Sequence, residues 1–130
     1  MTADRPHRCP IQIRFADIDM MGHVNNAIFA TWAESARMAF VHAGQPGLMA
    51  VILAHLAIDF RRQVEFGDAV EVLTSVEAIG RSSFTLRQQI LAAGQLAAEV
   101  RSVMVRFNYD TQRSEPIPPG MRAWLETYRT

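Results

Sequence analysis

One long amphipathic helix near the start of this 130-residue chain limits its possible folds more than any other feature. From Ala27 to about His42 the apolar residues recur at steps of three and four, which places them on one face of a helix. Small residues between them let the helix lie close against a sheet, and Gly44, Pro46 and Gly47 are expected to end it. The apolar face, which we interpret as part of the core, consists of Phe29, Trp32, Ala33, Ala36, Phe40 and Ala43.

Strand patterns occupy most of the remaining sequence. Before the helix, Ile11, Ile13 and Phe15 alternate with polar or small residues, which predicts a short strand. Residues 1–10 contain two prolines and little periodicity, so we expect a loose lead-in there. After the helix, apolar and alternating patterns separated by glycine-containing turns predict four more strands, at residues 49–60, 64–79, 84–90 and 97–107.

The order of these elements predicts an α+β protein. A strand, one helix and then several strands joined by tight turns indicate an antiparallel sheet curled around the helix. We expect a single domain over residues 1–130, with a C-terminal tail at 109–130 that ends in a short helix at 121–128. A sheet of this kind has an edge that needs a partner, so pairing of two copies through the sheet is a natural expectation.

The charge balance and the cysteine content narrow the classes of partner and compartment. The 13 basic and 13 acidic residues cancel, so no net field attracts nucleic acid or an anionic membrane. The single cysteine, Cys9, cannot form an internal disulfide, and we expect it to be structural rather than nucleophilic. The sequence shows neither a signal-peptide pattern nor an apolar run of membrane length, so we expect a cytoplasmic protein.

A turn-rich segment, residues 17–26, follows neither the helix period nor the strand period. From Arg14 to Asn26 the chain reads Arg-Phe-Ala-Asp-Ile-Asp-Met-Met-Gly-His-Val-Asn-Asn, which resembles the 4-hydroxybenzoyl-CoA thioesterase family of hotdog proteins. The likeness extends over residues 11–108 through Trp32, Glu34, Ala36, Arg37, the pair Gly67-Asp68 and the string Gly80-Arg81-Ser82-Ser83-Phe84.

The resemblance implies a hotdog fold, in which a five-stranded antiparallel sheet wraps one long central helix. It implies hydrolysis of acyl thioesters by homodimers or homotetramers with active sites at the subunit interface. It also implies that Asp19, the second Asp of its pair, is the catalytic carboxylate. The string His23-Val24-Asn25-Asn26 departs from the bacterial aromatic-CoA members and is more similar to fatty acyl-carrier-protein thioesterases and their single-domain bacterial relatives. In the plant members of that group catalysis belongs to a second hotdog repeat, which this chain does not contain.

The position of Asp19 just upstream of a helix suits thioester hydrolysis. Amides of the first helical turn, around Val24 to Ala27, would polarise the carbonyl while Asp19 activates water or attacks directly. Sequence leaves open whether Asp19 is a general base or a nucleophile. An Asx turn that only shapes the loop is the structural alternative, and we favour a structural role for Asp17.

The neighbours of Asp19 complete a predicted catalytic loop. Gly22 permits either a positive φ or close approach of a ligand. His23 orients the loop or contacts the thioester. One of Asn25 and Asn26 caps the helix, and the other holds water or the substrate carbonyl. Glu34 is an alternative catalytic carboxylate, although we favour an ion pair between Glu34 and Arg37, three residues later on the helix.

Basic and hydroxyl side chains suit the phosphates of CoA, and residues of the loop suit its thioester end. Arg87 is a further candidate for the phosphates, and a solvated surface arginine is the alternative interpretation for each of them. No metal site is predicted, because the four histidines lack ligand spacing. The predicted substrate-binding residues are Gly22, Val24, Ala27, Arg61, Arg62, Arg81, Ser82 and Ser83.

These features predict a thioesterase that hydrolyses acyl-CoA or acyl-carrier-protein thioesters and uses no metal or dissociable cofactor. The alternatives are a hotdog dehydratase, whose motif we do not find, and a non-catalytic module that binds acyl thioesters. A pure binder has no need of a carboxylate at Asp19. The nature of the acyl group, the choice between CoA and carrier protein, and the choice between dimer and tetramer stay open.

Overall fold

The computed structural model describes residues 5–44 and 50–130, which form one long helix, a sheet and a short second helix. The elements, in chain order, are β1 (His7–Ile11), a 3-10 turn (Phe15–Asp17), α1 (Asn26–Gly44), β2 (Val51–Phe60), β3 (Val70–Ile79), β4 (Ser83–Ala92), β5 (Gln95–Asn108), β6 (Arg113–Ser114) and α2 (Pro119–Glu126). Neither helix is long and apolar enough to cross a membrane, within the residues that are described.

The sheet is antiparallel, with strand order β1-β3-β4-β5-β2 and with the two-residue β6 paired to the end of β5. The long hairpin between β4 and β5 closes through Ala93 and Gly94, which both have positive φ (51° and 77°), as a tight hairpin turn requires. Helix α1 packs on β1, β3 and β4. This is the predicted α+β hotdog arrangement, and the fold prediction is confirmed.

The core between helix and sheet has two apolar clusters. One surrounds Phe29 in the first half of α1, and the other surrounds Phe40 in the second half and includes residues of α2. Each of β3, β4 and β5 changes from one cluster to the other at a buried polar residue. These residues, which we call the polar layer, are Thr74, Gln88 and Ser102 on the strands and Arg37 on the helix.

Hydrogen bonds tie part of the polar layer together. The side-chain amide of Gln88 donates to the carbonyl oxygen of Ala33 and to Thr74 Oγ1, both at 3.1 Å. Its oxygen accepts from Arg37 Nη1 at 3.5 Å. The predicted ion pair between Glu34 and Arg37 does not form: Arg37 points into the core and is only 2% exposed, whereas Glu34 is exposed. Burial lowers the pKa of Arg37, and the charge of Glu34 opposes that shift.

The N-terminal prediction is wrong. The strand lies at His7–Ile11, inside the expected lead-in, and not at residues 11–15. Pro10 is tolerated because β1 is an edge strand, where a missing N–H costs no ladder bond on the free side. Phe15 is 86% exposed, since the chain leaves the sheet after Ile11 and then forms the 3-10 turn.

Other boundaries also differ from the prediction, and those of β4 and β5 do so by only one or two residues. The strand β3 begins at Val70 rather than at residue 64, because residues 65–68 form a turn. The closing helix lies at 119–126 and starts with Pro119, a residue that suits the first helical turn. Helix α1 ends at Gly44, while Pro46, Gly47 and the predicted strand start at Met49 lie outside the described residues.

The two edges of the sheet differ in how far other segments of the chain cover them. Strand β1 covers the first half of β3, and the C-terminal residues cover the second half: Val76 N donates to Tyr128 O (2.9 Å), and Thr130 N donates to Val76 O (3.0 Å). On the other edge, β2 pairs with β5 alone within the part of the chain that the structure describes. Leu53 on this strand is 41% exposed and Phe60 is 47% exposed.

Candidate active site

A cleft of about 570 Å³ opens at the N-terminal end of α1, between the loop that precedes the helix and the end of β2. It brings together the predicted loop residues and the paired arginines that follow β2. Its lining residues are Asp19, Met21, His23, Val24, Asn25, Asn26, Phe29, Phe60, Arg61, Arg62 and Gln63.

Backbone hydrogen bonds hold the loop 19–23 in a closed turn. The N–H of Asp19 donates to His23 O (2.8 Å), and the N–H of Gly22 donates to Asp19 O (3.1 Å). Gly22 has φ +82°, and a Cβ built there meets no atom within 4 Å. Of the two roles predicted for Gly22, the turn therefore uses its positive φ, which other residues adopt only with strain.

The Asp19 carboxylate has two different oxygens. Oδ1 accepts from the backbone N–H groups of Met21 (2.9 Å) and His23 (3.3 Å), which is the loop-shaping role expected of an Asx turn. Among the described residues nothing donates to Oδ2. One oxygen of Asp19 thus shapes the loop, while the other is free in a side chain that lines the cleft.

Asp17 has no such free oxygen. Its Oδ2 accepts from the Arg14 N–H (2.8 Å), and its Oδ1 accepts from Arg14 Nη2 (2.9 Å) and Nε (3.2 Å). Burial by itself would raise the pKa of this carboxyl, but the Arg14 amide and guanidinium outweigh it and hold the pKa below its usual value. The backbone oxygen of Asp17 also accepts from Asn25 N (2.9 Å), so Asp17 supports the start of the helix.

Most amides at the start of α1 are already occupied. Val24 N donates to Val64 O (2.8 Å), and Ala27 N donates to Asn25 Oδ1 (2.9 Å), which makes Asn25 the helix cap. Among the described residues the N–H of Asn26 has no acceptor. The group of oxyanion donors expected between Val24 and Ala27 therefore narrows to Asn26, whose side chain also lines the cleft.

His23 lies beside Glu65, a residue that the sequence motifs did not predict to be part of the site. Its Nε2 lies 4.0 Å from Glu65 Oε1, while its Nδ1 is buried and has no partner among the described residues. Glu65 precedes the Gly67-Asp68 pair by two positions, and that pair was the only signal that could have pointed to it.

Two aromatic rings form an apolar wall of the cleft. Phe29 and Phe60 have ring centroids 5.3 Å apart, and Phe29 stacks on Trp32 at the same distance. Phe29 is buried, whereas Phe60 is half exposed. Phe29 was predicted to belong to the core, and Phe60 was not predicted to be part of the site. The position of Phe60 at the end of an apolar strand, before two arginines, was the available signal.

The predicted arginines fall into two groups. Arg61 and Arg62 line the cleft. Arg61 pairs with Glu99 (3.0 Å), and this pairing raises the pKa of Arg61. Arg62 has no ion-pair partner among the described residues. Arg87 also pairs with Glu99 (3.5 Å) and is not part of the cleft. The structure places Arg81, Ser82 and Ser83 at the β3–β4 turn, roughly 30 Å away along ten-residue strands.

Three remaining candidates also lie outside this cleft. Glu34 is exposed on α1, and Ala27 contributes its amide to the cap but does not line the cleft. Cys9 lies in a separate groove between β1 and α1, where burial raises the pKa of its thiol, the opposite of what activates a nucleophile. No group of three or more metal-ligating side chains occurs in residues 5–44 and 50–130.

Known proteins are similar to this chain in sequence and in fold. The profile of the Thioesterase-like superfamily matches residues 13–125. A 1,4-dihydroxy-2-naphthoyl-CoA hydrolase from Synechococcus sp. (strain CC9605) is 28% identical over 127 residues, which covers 88% of this chain and 85% of that protein.

Two solved structures are similar over nearly their whole length. A predicted thioesterase from Bacillus stearothermophilus has a TM-score of 0.87 and 32% identity, covering 95% of this chain and 97% of its own. A thioesterase complexed with coenzyme A and Zn from Thermus thermophilus has a TM-score of 0.86 and 31% identity, with coverage of 93% and 92%. The resemblance noted in the sequence is confirmed, and the chain belongs to the Thioesterase-like superfamily.

Proposed function

We propose that this protein hydrolyses acyl thioesters of coenzyme A to the free acid and the thiol. The observation that carries the proposal is the pairing of a free carboxylate oxygen, Asp19 Oδ2, with a free amide, Asn26 N–H, at the same cleft. Hydrolysis of a thioester needs both groups: one to drive attack on the carbonyl carbon and one to receive the oxyanion.

Two reaction routes use the same residues. In the first, Asp19 takes a proton from water as the water oxygen bonds to the carbonyl carbon. In the second, Asp19 attacks the carbon itself and forms an anhydride that water then cleaves. In both, the carbonyl oxygen becomes an anion that accepts from Asn26 N–H, and its collapse expels the thiolate, which takes up a proton. A donor of this kind contributes about 3–4 kcal/mol in other hydrolases.

The other loop residues have supporting roles in this proposal. Gly22 and Asn25 shape the turn and cap the helix, and the backbone of His23 holds Asp19 Oδ1. His23 and the Asn26 side chain line the cleft and contact the thioester or its water. Glu34 is kept as a second carboxylate that a neighbouring subunit would have to bring to the cleft, because it does not line the cleft of its own chain.

The wall formed by Phe29 and Phe60 favours an aromatic acyl group. Flat rings pack on aromatic side chains in offset or edge-to-face contacts and gain more than their buried area alone provides. The relatives named 1,4-dihydroxy-2-naphthoyl-CoA hydrolase, whose name describes an aromatic acyl group, support the same proposal. An acyl-carrier-protein thioester is the alternative substrate.

A second copy of the chain completes the site in this proposal. Strand β2, whose outer side pairs with no other strand in residues 5–44 and 50–130, is ten residues long and rich in apolar residues, and antiparallel pairing with its own copy would satisfy that edge. Such pairing sets the Val51 end of one β2 beside the Phe60 end of the other. The partner subunit's Arg81, Ser82 and Ser83 then lie on the side of this cleft, which is the route by which they could meet the phosphates of CoA. A reduced cytoplasm is the proposed compartment.

Release of free thiol from a panel of thioesters tests the proposal. The panel contains benzoyl-, 1,4-dihydroxy-2-naphthoyl-, hexanoyl- and palmitoyl-CoA and one acyl-carrier-protein thioester. We expect wild-type turnover to be fastest with an aromatic acyl group and to fall about 100-fold or more in Asp19→Asn, since a positioned base contributes roughly 10²–10⁴-fold.

A matched control for Asp19→Asn is Asp110→Asn, which removes an exposed carboxylate in the turn between β5 and β6 and should turn over like wild type. Full turnover by a folded Asp19→Asn would contradict the assignment of Asp19. Survival of every thioester in the presence of wild-type protein, together with tight binding, would favour the non-catalytic module instead.

A further inference from the structure

The Gly67-Asp68 pair belongs to the sequence signature of the chain but has no role in the cleft described above. In the structure it builds a tight turn after Val64. Asp68 Oδ2 accepts from Glu65 N (3.0 Å), and Asp68 N donates to Glu65 O (3.1 Å). Gly67 has φ +104°, and a Cβ there meets no atom within 4 Å, so the glycine provides the conformation rather than a close contact. The turn therefore holds the backbone of Glu65.

This turn is attached to the catalytic loop. Val24 N donates to Val64 O at 2.8 Å, and His23 and Glu65 face each other in an isolated antiparallel bridge. Their side chains follow the same alignment, with Glu65 Oε1 4.0 Å from His23 Nε2. The carboxylate thus lies beside one particular nitrogen of the one histidine that lines the cleft.

The two nitrogens of His23 have opposite surroundings. A hydrogen on Nε2 faces the Glu65 carboxylate, whereas a hydrogen on Nδ1 would be a buried donor with no acceptor among the described residues. Because an unsatisfied buried donor is costly, both facts favour the tautomer with its hydrogen on Nε2 and a lone pair on Nδ1. The same residue holds Asp19 Oδ1 through its backbone N–H.

We propose that Glu65, presented by the Gly67-Asp68 turn, is a positioning residue that fixes the ring orientation and tautomer of His23 beside Asp19. The proposal rests on the proposed thioesterase function. Glu65 is 71% exposed, so the contact contributes little to the stability of the fold. Its effect belongs in turnover, because it determines which state of His23 faces the reacting groups.

The test compares two variants. Glu65→Gln keeps the shape of the side chain and removes its charge. Glu71→Gln removes the charge of a carboxylate on β3 that pairs with Arg8 of β1. Nitrogen-15 NMR of the histidine rings reports the tautomer, and a His23→Asn spectrum identifies the His23 signals. We expect Glu65→Gln to weaken the preference for hydrogen on Nε2 and to lower kcat roughly tenfold with KM within twofold, which is the lower end of the loss when a metal-ligating histidine loses its orienting partner. Glu71→Gln should change neither.

A double-mutant cycle separates positioning from a direct role. If Glu65 acts through His23, Glu65→Gln should have no further effect on kcat in a His23→Asn background. Additive losses, or a wild-type tautomer signal in Glu65→Gln, would overturn the proposal. The NMR measurement needs no turnover, so a protein that hydrolyses no thioester would refute the proposed function while the tautomer still decides the role of Glu65.

Discussion

The two edges of the sheet show two ways of ending a layer of strands. The edge at β3 is closed by the chain itself, first by the five residues of β1 and then by the last residues before Thr130. The outer side of the ten-residue β2 pairs with no other strand among the described residues, and its first eight residues carry no Asp, Glu, Lys or Arg. Exposed strands normally carry such charges to prevent association.

The closed edge at β3 and the open edge at β2 differ in what they contact. The closed edge is joined to the core by an aromatic cluster: His7 on β1, Phe40 on α1, and Trp124 and Tyr128 at the C-terminus, with ring centroids 4.4–5.6 Å from Phe40. The open edge ends at the cleft, where Phe60 is half exposed. The closed edge therefore stabilises the fold, and the open edge borders the candidate site.

The largest effect is expected from breaking the closed edge at Phe40. This ring is fully buried and contacts all three other members of the aromatic cluster, so Phe40→Ala removes contacts that join α1, β1 and the C-terminal residues. We expect the free energy of unfolding in urea to fall by about 3–5 kcal/mol. Phe15→Ala is the control, because Phe15 is 86% exposed and its loss should change that free energy by less than about 1 kcal/mol. Equal effects of the two substitutions would show that the cluster does not support this edge.

A charge on the open edge should act on association and leave the fold intact. Leu53→Lys places an ammonium group on the exposed side of β2, where a second copy is proposed to pair. We expect the dimer dissociation constant, measured by sedimentation, to rise about 100-fold, which corresponds to about 2.7 kcal/mol.

The matched control is Leu73→Lys, on β3 beside the closed edge and opposite Arg8 of β1. It should leave the dissociation constant unchanged. If the Leu53→Lys protein associates like wild type, the interface between copies does not lie at β2.

The smallest effect concerns His7 in the aromatic cluster. Its ring lies 5.6 Å from Phe40 and 6.3 Å from Tyr128, and burial lowers its pKa in the folded state. A lowered folded-state pKa means that the unfolded chain binds the proton more tightly. Stability is therefore complete above the unfolded value of about 6.5 and is lost as the pH falls through the folded-state pKa.

His7→Phe should remove this part of the pH dependence. Urea unfolding of wild type and variant between pH 8 and pH 5 gives the measurement, and the difference between them isolates His7 from the other titrating groups. Parallel pH profiles would show that the ring is not coupled to folding. A difference confined to the acid side would confirm that protonation of His7 destabilises the fold.

Local sequence patterns predicted an element well where its apolar period and its terminating residues lie within the element itself. Helix α1 was expected at Ala27 to about His42 and lies at Asn26–Gly44, because its apolar period and its glycine stop are local. Strand β1 was missed because its five residues become a strand only through pairing with β3, and Pro10 argues for a loop until that partner is known. Contacts between distant segments were the missing information.

The candidate site likewise contains some residues that a local sequence pattern predicts and others that only contacts between distant segments bring there. Asp19, His23, Asn25 and Asn26 were found because they lie in one continuous string, and the structure places all of them at the cleft. Phe60 and Glu65 reach the same region only because β2 and the following turn return to the loop. Arg81, Ser82 and Ser83 are adjacent to no cleft residue of their own chain, a separation that only the strand lengths reveal.

The polar layer between the two apolar clusters has a consequence for how such a chain can diverge. Gln88 lies between the two apolar clusters, and its side-chain amide donates to Ala33 O and Thr74 Oγ1. Side chains around Phe29 and side chains around Phe40 therefore pack in separate clusters. In the proposed thioesterase, mutations that reshape the cleft half for a new acyl group would leave the packing of the half that carries α2 unchanged. Specificity and foldability can then be selected on different sets of residues, with the buried amide of Gln88 as the partition between them.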